Sequence, residues 1–205
     1  MNVGVLLSAG NSSRFKSDIP KQLYPLNGKP IASYSIEAMS GLDELIIITN
    51  SICYKQIKSI ANSEAVILIN DVDSRLQSIQ TAINYIQSAD NVLIHDSARP
   101  FITENHIKTL LALAKTYDYS QYYLKLVNGL AKKTDAGYEI ADREQYIELC
   151  SPQIIRYEIL KDALNKNSKD YFEMLPLVNE LGITYNLIEG CHKHLRKITT
   201  MNDLY

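Results

Sequence analysis

The chain has 205 residues, of which 46% are hydrophobic and 21% are charged, so it is long enough to bury a core and too apolar to remain disordered. Its 21 Lys and Arg residues against 23 Asp and Glu residues give a formal net charge of −2, which argues against a general binder of nucleic acids or anionic membranes. It has three well-separated cysteines, no apolar run near the roughly 20 residues of a membrane span and no basic signal-peptide start, so we expect a cytoplasmic protein without disulfides.

Apolar runs alternate with segments of helical period through the first half of the chain, which is typical of parallel βαβ units. The runs at 3–7, 45–49, 65–69 and 92–95 are predicted strands. They are uniformly apolar, so we expect helices to cover both faces of a parallel sheet. One such helix is predicted to begin after Ser74, its expected N-cap, and its apolar face consists of Leu76, Ile79, Ala82, Ile83 and Ile86.

The second half of the chain has a less regular pattern. A helix with Thr103 as its cap is predicted first, and a Tyr-rich stretch at 117–123 then opens a region where the βα rhythm weakens. The polar segment 132–138 predicts a hairpin turn, which a projecting arm would use. A helix at 154–164 and a strand at 183–188 are predicted beyond it. Because no internal repeat or linker is visible, we predict one α/β domain over residues 1–205.

A loop of small residues follows the first predicted strand and consists of Ser8, Ala9, Gly10, Asn11, Ser12, Ser13 and Arg14. In open α/β sheets, ligands bind at the carboxyl edge of the strands, where this loop lies. Small side chains let backbone N–H groups approach a phosphate, and Arg14 adds a positive charge. Taken alone, the loop leaves a phosphate site and a purely structural turn equally open.

Two further segments carry charged residues that suit phosphate chemistry. Lys21 follows Arg14 closely enough for one loop to bring two cations to a triphosphate, although a solvated surface lysine is the alternative. Asp96 comes directly after the strand at 92–95 and is a candidate Mg²⁺ ligand, because Mg²⁺ takes carboxylates together with substrate phosphates. Arg99 is a candidate anion contact. The alternative is that Asp96 caps a turn and pairs with Arg99.

In this order and at this spacing, Ser8-Ala9-Gly10 through Arg14, Pro20-Lys21-Gln22 and His95-Asp96-Ser97-Ala98-Arg99-Pro100 resemble the motifs of the methylerythritol-phosphate cytidylyltransferase family, which includes the ribitol-5-phosphate cytidylyltransferases. The resemblance implies a Rossmann-like three-layer α/β sandwich of the nucleotidyltransferase type. Its sheet would be mostly parallel, and a small arm near residues 128–145 would pair two subunits into a homodimer. The ligands it implies are CTP, Mg²⁺ and a phosphorylated polyol.

The resemblance also assigns nucleotide-site residues. Residues 71–78 are similar to the family's Gly-Gly-x-x-Arg-x-x-Ser segment, with Asp71 and Val72 in place of the two glycines, which normally allow a close backbone approach to the base. The closing residues Arg196 to Thr200 are similar to the family's Lys-Ile-Thr. The implied nucleotide contacts are the loop from Ser8 to Ser13, Arg75, Ser78, Asp96 and Ser97. The implied catalytic cations are Arg14, Lys21 and Lys197.

Acceptor residues follow from the same resemblance. Asp142-Arg143 and Ser151-Pro152-Gln153 match the family's Asp-Arg and Thr-Pro-Gln, so Arg143 would hold the acceptor phosphate, reaching across a dimer from the arm. The implied acceptor contacts are Arg99, Arg143, Ser151 and Lys197. Leu130 replaces the threonine of the family's Asp-Thr-Ile-Lys. Leu195 stands near the place of an Asn or Asp that helps some members bind metal, which leaves Asp96 as the main metal ligand.

The resemblance leaves several functions open. The acceptor is either 2-C-methyl-D-erythritol 4-phosphate or ribitol 5-phosphate. Asp142-Arg143 favours the first, Leu130 together with Asp96-Ser97 and Ile198-Thr199-Thr200 favours the second, and the sequence does not decide between them. A nucleotide-binding homologue that has lost turnover is one alternative. Another is a nucleotidyltransferase that acts on a different sugar phosphate for surface polysaccharide. Pyrophosphate release from a panel of nucleoside triphosphates separates these hypotheses.

Overall fold

The computed structural model describes residues 1–166 and 173–204. The strands in these ranges are β1 Asn2–Ser8, β2 Pro25–Leu26, β3 Lys29–Pro30, β4 Glu44–Thr49, β5 Val66–Ile69, β6 Asn91–Asp96, β7 Tyr119–Lys125, β8 Leu130–Thr134, β9 Gly137–Ala141, β10 Ile147–Arg156 and β11 Tyr185–Glu189. The α-helices are α1 Ile31–Ala38, α2 Tyr54–Ile60, α3 Arg75–Tyr85, α4 Glu104–Leu113, α5 Tyr157–Lys166, α6 Leu175–Leu181 and α7 His192–Leu195. Within the described ranges, no helix combines the length and the apolar composition that a membrane crossing requires.

The central sheet of the described residues has seven strands in the order β11-β7-β10-β6-β1-β4-β5. β1 pairs in parallel with both β4 and β6, β4 pairs in parallel with β5, and β11 pairs in parallel with β7. Only β10 runs antiparallel, between β6 and β7. The expected mostly parallel α/β sheet is therefore confirmed. Because β1 and β6 are parallel neighbours, the loops that follow them emerge side by side.

Helices cover both faces of this sheet. On one face α3, α5 and α6 pack over side chains such as Val3 and Val5, and on the other α1, α2 and α4 pack over side chains such as Leu6. Successive strand residues point to opposite faces, which explains why these strands are apolar at every position. The edge strand β5 is also apolar, but it is less completely covered, and its last residue, Ile69, is 48% exposed. The result is the expected three-layer sandwich.

Most of the predicted elements are confirmed. The four strands of the first half appear within one residue of the predicted bounds, and Ser74 caps α3 by accepting a hydrogen bond from the Gln77 N–H at 3.2 Å. The helix predicted at 154–164 is wrong at its start, because Ile154 and Ile155 belong to β10 and α5 begins at Tyr157. In the sheet these two residues lie opposite Leu93 and Val92 of β6. That pairing outweighs the local helical pattern.

The predicted hairpin is formed by β8 and β9, which pair from Leu130 with Ala141 to Thr134 with Gly137. Gly137 takes a φ of +133°, a region that side-chain-bearing residues rarely adopt. The two strands form a sheet of their own, separate from the central one. Residues 128–145 are called the hairpin arm below. Tyr138 and Ile140 on this arm are 76% and 90% exposed.

Candidate functional site

A cavity of about 400 Å³ opens at the carboxyl ends of β1 and β6. Five segments line it: the loop after β1, residues 21–22, the N-terminus of α3 with the residues before it, the end of β6 with the residues after it, and residues from the segment 197–199. The lining includes every residue predicted above for the nucleotide and for catalysis, namely Ser8, Ala9, Gly10, Asn11, Ser12, Ser13, Arg14, Lys21, Arg75, Ser78, Asp96, Ser97 and Lys197. The structure therefore brings these residues together, as parallel strands that end at one edge require.

The loop after β1 is held by two amides from elsewhere in the chain. The buried Gln22 side chain donates to the Ser8 carbonyl at 3.1 Å, and its own oxygen accepts from the Ser12 hydroxyl at 3.1 Å. The Asn50 side chain donates to the Ala9 carbonyl at 3.2 Å. Across the described residues, the backbone N–H groups of residues 10–14 donate to no protein acceptor. The Ser8 and Ala9 carbonyls are thus hydrogen-bonded, while the N–H groups of residues 10–14 remain available to donate to a bound anion.

Neither Gln22 nor Asn50 was assigned a role from the sequence. Gln22 was visible only as part of the Pro20-Lys21-Gln22 segment, and its contacts reach back ten or more positions along the chain. Asn50 directly follows β4, so its place at a strand end is the signal that could have identified it. Both side chains stabilise the loop through hydrogen bonds to its residues.

Cations surround the cavity. Lys21 lies near Arg14 and Lys197, and its pKa falls to about 8 because burial and these two like charges disfavour the charged amine. The backbone N–H of Lys21 donates to the Ser12 hydroxyl at 3.1 Å, which ties the lysine to the loop after β1. A bound polyanion would relieve the repulsion among the three cations. The arrangement therefore suits a ligand that carries several negative charges.

Asp96 supplies the main counter-charge. Its carboxylate accepts from the Lys197 amine at 3.0 Å and lies 3.5 Å from Nε of Arg75. Burial alone would raise the pKa of this carboxyl, but Arg75 and Lys197 outweigh burial and hold the pKa of Asp96 well below its usual range. The Asp96 backbone N–H donates to the Ser151 hydroxyl at 3.1 Å. Asp96 is therefore ionised at any ordinary pH and held in one orientation.

The donor set fits a magnesium ion that shares its ligands with a substrate. Asp96 is an ionised carboxylate in the cavity wall, and Asp73 is a second carboxylate in the same wall. In the described part of the chain, His, Cys, Asp and Glu side chains do not gather in a group of three or more. Mg²⁺ commonly takes one or two protein carboxylates and completes its shell with water and phosphate oxygens. Asp96 is suited to that role.

The segment between β5 and α3 forms another part of the cavity wall. The Asn70 side chain donates to the Ser78 hydroxyl at 3.0 Å, and Ser78 donates to the Ser74 carbonyl at 3.1 Å. Asp71 accepts from the Ser51 N–H at 2.7 Å, so it braces the loop from outside. Val72, in contrast, lines the cavity and is 53% exposed. This chain therefore adds an apolar side chain where the motif it resembles has glycine.

Three of the predicted acceptor residues lie outside the cavity lining. Arg99 is 5% exposed, and its guanidinium donates to the Leu195 carbonyl. Arg143 is exposed on the hairpin arm and donates to the Val127 carbonyl at 2.5 Å. Ser151 is buried behind Asp96, where its hydroxyl accepts the backbone hydrogen bond described above. Their contacts to an acceptor stay predictions.

The lowered pKa of Lys21 makes anion binding pH-dependent. Lys21 is charged below about pH 8 and neutral above it, so the affinity for inorganic pyrophosphate should fall roughly tenfold as the pH rises from about 7 to about 9. Isothermal titration calorimetry measures this decline. The Lys21→Arg variant stays charged over that range and should not show it. A wild-type affinity that rises steadily with pH, as the growing charge of pyrophosphate alone would cause, contradicts the assignment.

Comparison with known proteins identifies what the chain is similar to. The family model described as "IspD: 2-C-methyl-D-erythritol 4-phosphate cytidylyltransferase" matches residues 3–205. A protein of that enzyme name from Thermotoga neapolitana is 27% identical over 210 residues, which span 100% of this chain and 94% of the relative. One from Bacteroides thetaiotaomicron is 28% identical over 208 residues, which span 98% of this chain and 94% of the relative.

Solved structures share the fold. The crystal structure of 2-C-methyl-D-erythritol 4-phosphate cytidylyltransferase from Thermus thermophilus has a TM-score of 0.78 at 22% identity and covers 98% of this chain and 94% of its own. The structure of 4-diphosphocytidyl-2C-methyl-D-erythritol synthase from Anaerococcus prevotii has a TM-score of 0.85 at 15% identity, over 100% of this chain and 92% of its own. At these identities the likeness establishes the fold alone.

Proposed function

The chain belongs to the 2-C-methyl-D-erythritol 4-phosphate cytidylyltransferase family, and on that premise we propose that it transfers CMP from CTP to 2-C-methyl-D-erythritol 4-phosphate and releases pyrophosphate. The observation that carries the proposal is the cavity in which Arg14, Lys21 and Lys197 meet an ionised Asp96. Both relatives described above are named 2-C-methyl-D-erythritol 4-phosphate cytidylyltransferase. We therefore favour that acceptor over ribitol 5-phosphate.

The loop after β1 would hold the triphosphate of CTP. Its free N–H groups from Gly10 to Arg14 suit phosphate oxygens, and Gln22 and Asn50 keep the loop in place while it binds. Arg14 and Lys21 would neutralise the charge that develops on the leaving pyrophosphate. The cavity wall from Val72 to Ser78 is then left for the base and the ribose.

In the reaction itself, an oxygen of the acceptor phosphate attacks the α-phosphorus of CTP. The new P–O bond forms while the bond from the α-phosphorus to the bridging oxygen breaks, and pyrophosphate leaves with that electron pair. The attacking oxygen is already an anion near neutral pH, so no general base is needed. Catalysis rests on alignment and charge, for which Lys197 and Arg143 would hold the acceptor phosphate and Lys21 the leaving group.

Asp96 would hold Mg²⁺ together with phosphate oxygens of CTP. When bound, the ion supplies positive charge to the triphosphate. Asp96 already stands 3.0 Å from the amine of Lys197, so the residue that would bind the metal also orients a cation toward the acceptor.

A cytoplasmic location suits the free thiols of Cys53, Cys150 and Cys191.

The hairpin arm would complete the site of a second copy of this chain. Arg143 lies on the arm and points its guanidinium at the Val127 carbonyl of its own chain, outside its own cavity lining. Val127, Tyr138 and Ile140 leave an apolar surface beside it, exposed by 67%, 76% and 90%. A homodimer would cover these side chains and carry Arg143 to the partner's acceptor phosphate.

The test is pyrophosphate release with CTP and Mg²⁺, run in parallel with 2-C-methyl-D-erythritol 4-phosphate and with ribitol 5-phosphate. We expect turnover with the first acceptor, and no turnover when UTP or ATP replaces CTP. Turnover with ribitol 5-phosphate alone would overturn the acceptor assignment. If calorimetry shows CTP binding but neither acceptor causes pyrophosphate release, the result would favour a nucleotide-binding homologue without turnover. Pyrophosphate release with another nucleoside triphosphate or another sugar phosphate would favour the alternative nucleotidyltransferase.

A further inference from the structure

Arg99 is a buried cation that does not line the cavity. It is 5% exposed, and its guanidinium donates to the backbone carbonyl of Leu195. The carboxylate of Glu148 lies 3.9 Å away, at the limit of an ion pair. Nε of Arg99 has no hydrogen-bond partner among the described residues. A charge is costly to bury without close partners. The hydrogen bond to the Leu195 carbonyl is therefore a main interaction that stabilises the buried guanidinium.

Leu195 begins a short segment that carries Lys197. Residues 195–198 are called the strap below. Leu195 and Ile198 are fully buried, while Lys197 between them reaches the cavity and places its amine 3.0 Å from Asp96. The Ile198 N–H donates to the Ala98 carbonyl at 2.8 Å. The strap is therefore clamped on both sides of Lys197, by the side chain of Arg99 and by the backbone of Ala98.

The turn that supplies both clamps is itself fixed to Asp96. The Arg99 N–H donates to the Asp96 carbonyl at 3.0 Å. The carbonyl of Arg99 lies 3.1 Å from Nε2 of the fully buried His95. A carbonyl oxygen can only accept, so Nε2 of the His95 ring donates this hydrogen bond. The backbone of Arg99 is thus fixed relative to Asp96, and its side chain transmits that position to the strap.

Packing on the other side of the strap leaves little room for movement. A Cβ atom added at Gly190 would lie 2.1 Å from Cδ1 of Leu195. Leu195 is fully buried, so its side chain would have to change rotamer or shift the strap to make space. The packing of the strap therefore involves Gly190 as well as Arg99, and both lie outside the cavity lining.

We propose that Arg99 is a positioning residue, which holds the Leu195 carbonyl so that Lys197 reaches Asp96 and the acceptor, and that it does not itself bind the acceptor phosphate. The turnover part of this inference rests on the proposed function. Direct binding by Arg99 and action through Lys197 make different predictions, because a residue that acts through another has no effect once the other is removed.

A double-mutant cycle separates the two roles. Arg99→Met should lower kcat about 100-fold, the loss expected when a catalytic group is misplaced by about 1 Å. KM for CTP should change less than about threefold, and KM for the acceptor should rise no more than it does in Lys197→Met. In a Lys197→Met background, the same substitution should lower kcat less than about threefold further. Arg99→Lys keeps one donor and should recover part of the loss. Arg156→Met is the matched control, since Arg156 pairs with Asp118 at the far end of β10, and its kcat should equal that of the wild type.

A second readout does not need turnover. The charged groups that face Lys21 are Lys197, Arg14, Asp96 and Asp203. Displacing the Lys197 amine removes a like charge, so the pKa of Lys21 should rise from about 8 in Arg99→Met and in Lys197→Met alike. Trace acetylation with acetic anhydride across a pH series, followed by peptide mass spectrometry, measures this pKa. If wild-type protein releases no pyrophosphate, the proposed function fails and this measurement still decides the inference.

Three results would overturn the inference. These are an acceptor KM that rises further in Arg99→Met than in Lys197→Met, losses in the two single variants that multiply in the double variant, or an unchanged Lys21 pKa in Arg99→Met. If Arg99→Met does not fold, Arg99→Gln, which keeps a polar side chain but shortens it, takes its place in the cycle and in the labelling. It should then lower kcat and raise the Lys21 pKa in the same way, and wild-type values for Arg99→Gln would contradict the inference.

Discussion

Replacing Lys21 by alanine is expected to lower kcat by about 100-fold to 1,000-fold, while KM for CTP rises less than about tenfold. The physical reason is where the charge develops. Lys21 lies in a partly buried cluster with Arg14 and Lys197, where its pKa is lowered to about 8, so its charge is poorly stabilised until an anion arrives. The leaving pyrophosphate carries more negative charge in the transition state than bound CTP does, and Lys21 therefore contributes most at that point.

Pyrophosphate release gives kcat and KM for the Lys21→Ala variant, and calorimetry with CTP gives the affinity separately. Lys29→Ala is the matched control, because Lys29 is a nearby lysine that pairs with Glu37 at 2.6 Å on the surface, outside the cavity lining. It should retain wild-type kinetics. Loss of CTP affinity in Lys21→Ala with an unchanged kcat would show that Lys21 only binds the nucleotide.

Mixing two inactive variants should restore activity if the hairpin arm serves the partner's site. Lys21→Ala removes a cation from the cavity of its own chain, and Arg143→Ala removes one from the arm. Each homodimer then has two defective sites. After exchange of subunits at equal concentrations, half the dimers are mixed and each has one intact site, so activity should reach about a quarter of the wild-type value.

A second mixture is the control for this complementation. Lys21 and Lys197 line the same cavity of one chain, so Lys21→Ala mixed with Lys197→Ala leaves a defect in every site and should stay inactive. Size-exclusion chromatography with light scattering verifies that dimers are present in each mixture. Failure of the Lys21→Ala and Arg143→Ala mixture to regain activity, with mixed dimers shown to form, would mean that Arg143 serves its own chain or neither.

The cavity was largely predictable from the sequence because its residues follow strand ends. The loop from Ser8 to Arg14 comes directly after β1, and Asp96 is the last residue of β6. Parallel neighbours bring such residues to one edge whatever the details of packing. The apolar runs were sufficient to predict the strands. The composition of the loop allowed anion chemistry but left a structural turn equally open, and only the combined motifs and their family resemblance favoured a phosphate site.

What the sequence could not predict depends on contacts between distant positions. Arg99 sits in a motif that suggests an anion contact, yet its guanidinium meets the Leu195 carbonyl, 96 residues away. Gln22 supports the loop through hydrogen bonds to Ser8 and Ser12. Ile154 has the periodicity of a helix but completes the sheet beside β6. In each case, the partner that decides the outcome is not a neighbour in the chain.

The hairpin arm has a further consequence for how the protein assembles. A ribbon of two strands is only marginally stable in water by itself, and the arm leaves Tyr138 and Ile140 exposed while pairing with no strand of the central sheet. In the homodimer proposed above, the partner's surface would supply the free energy that orders the arm. Ordering of the arm and association of subunits would then be one coupled equilibrium, in which part of the binding energy is spent on folding the arm. Dilution would disorder the arm and separate the subunits in a single transition.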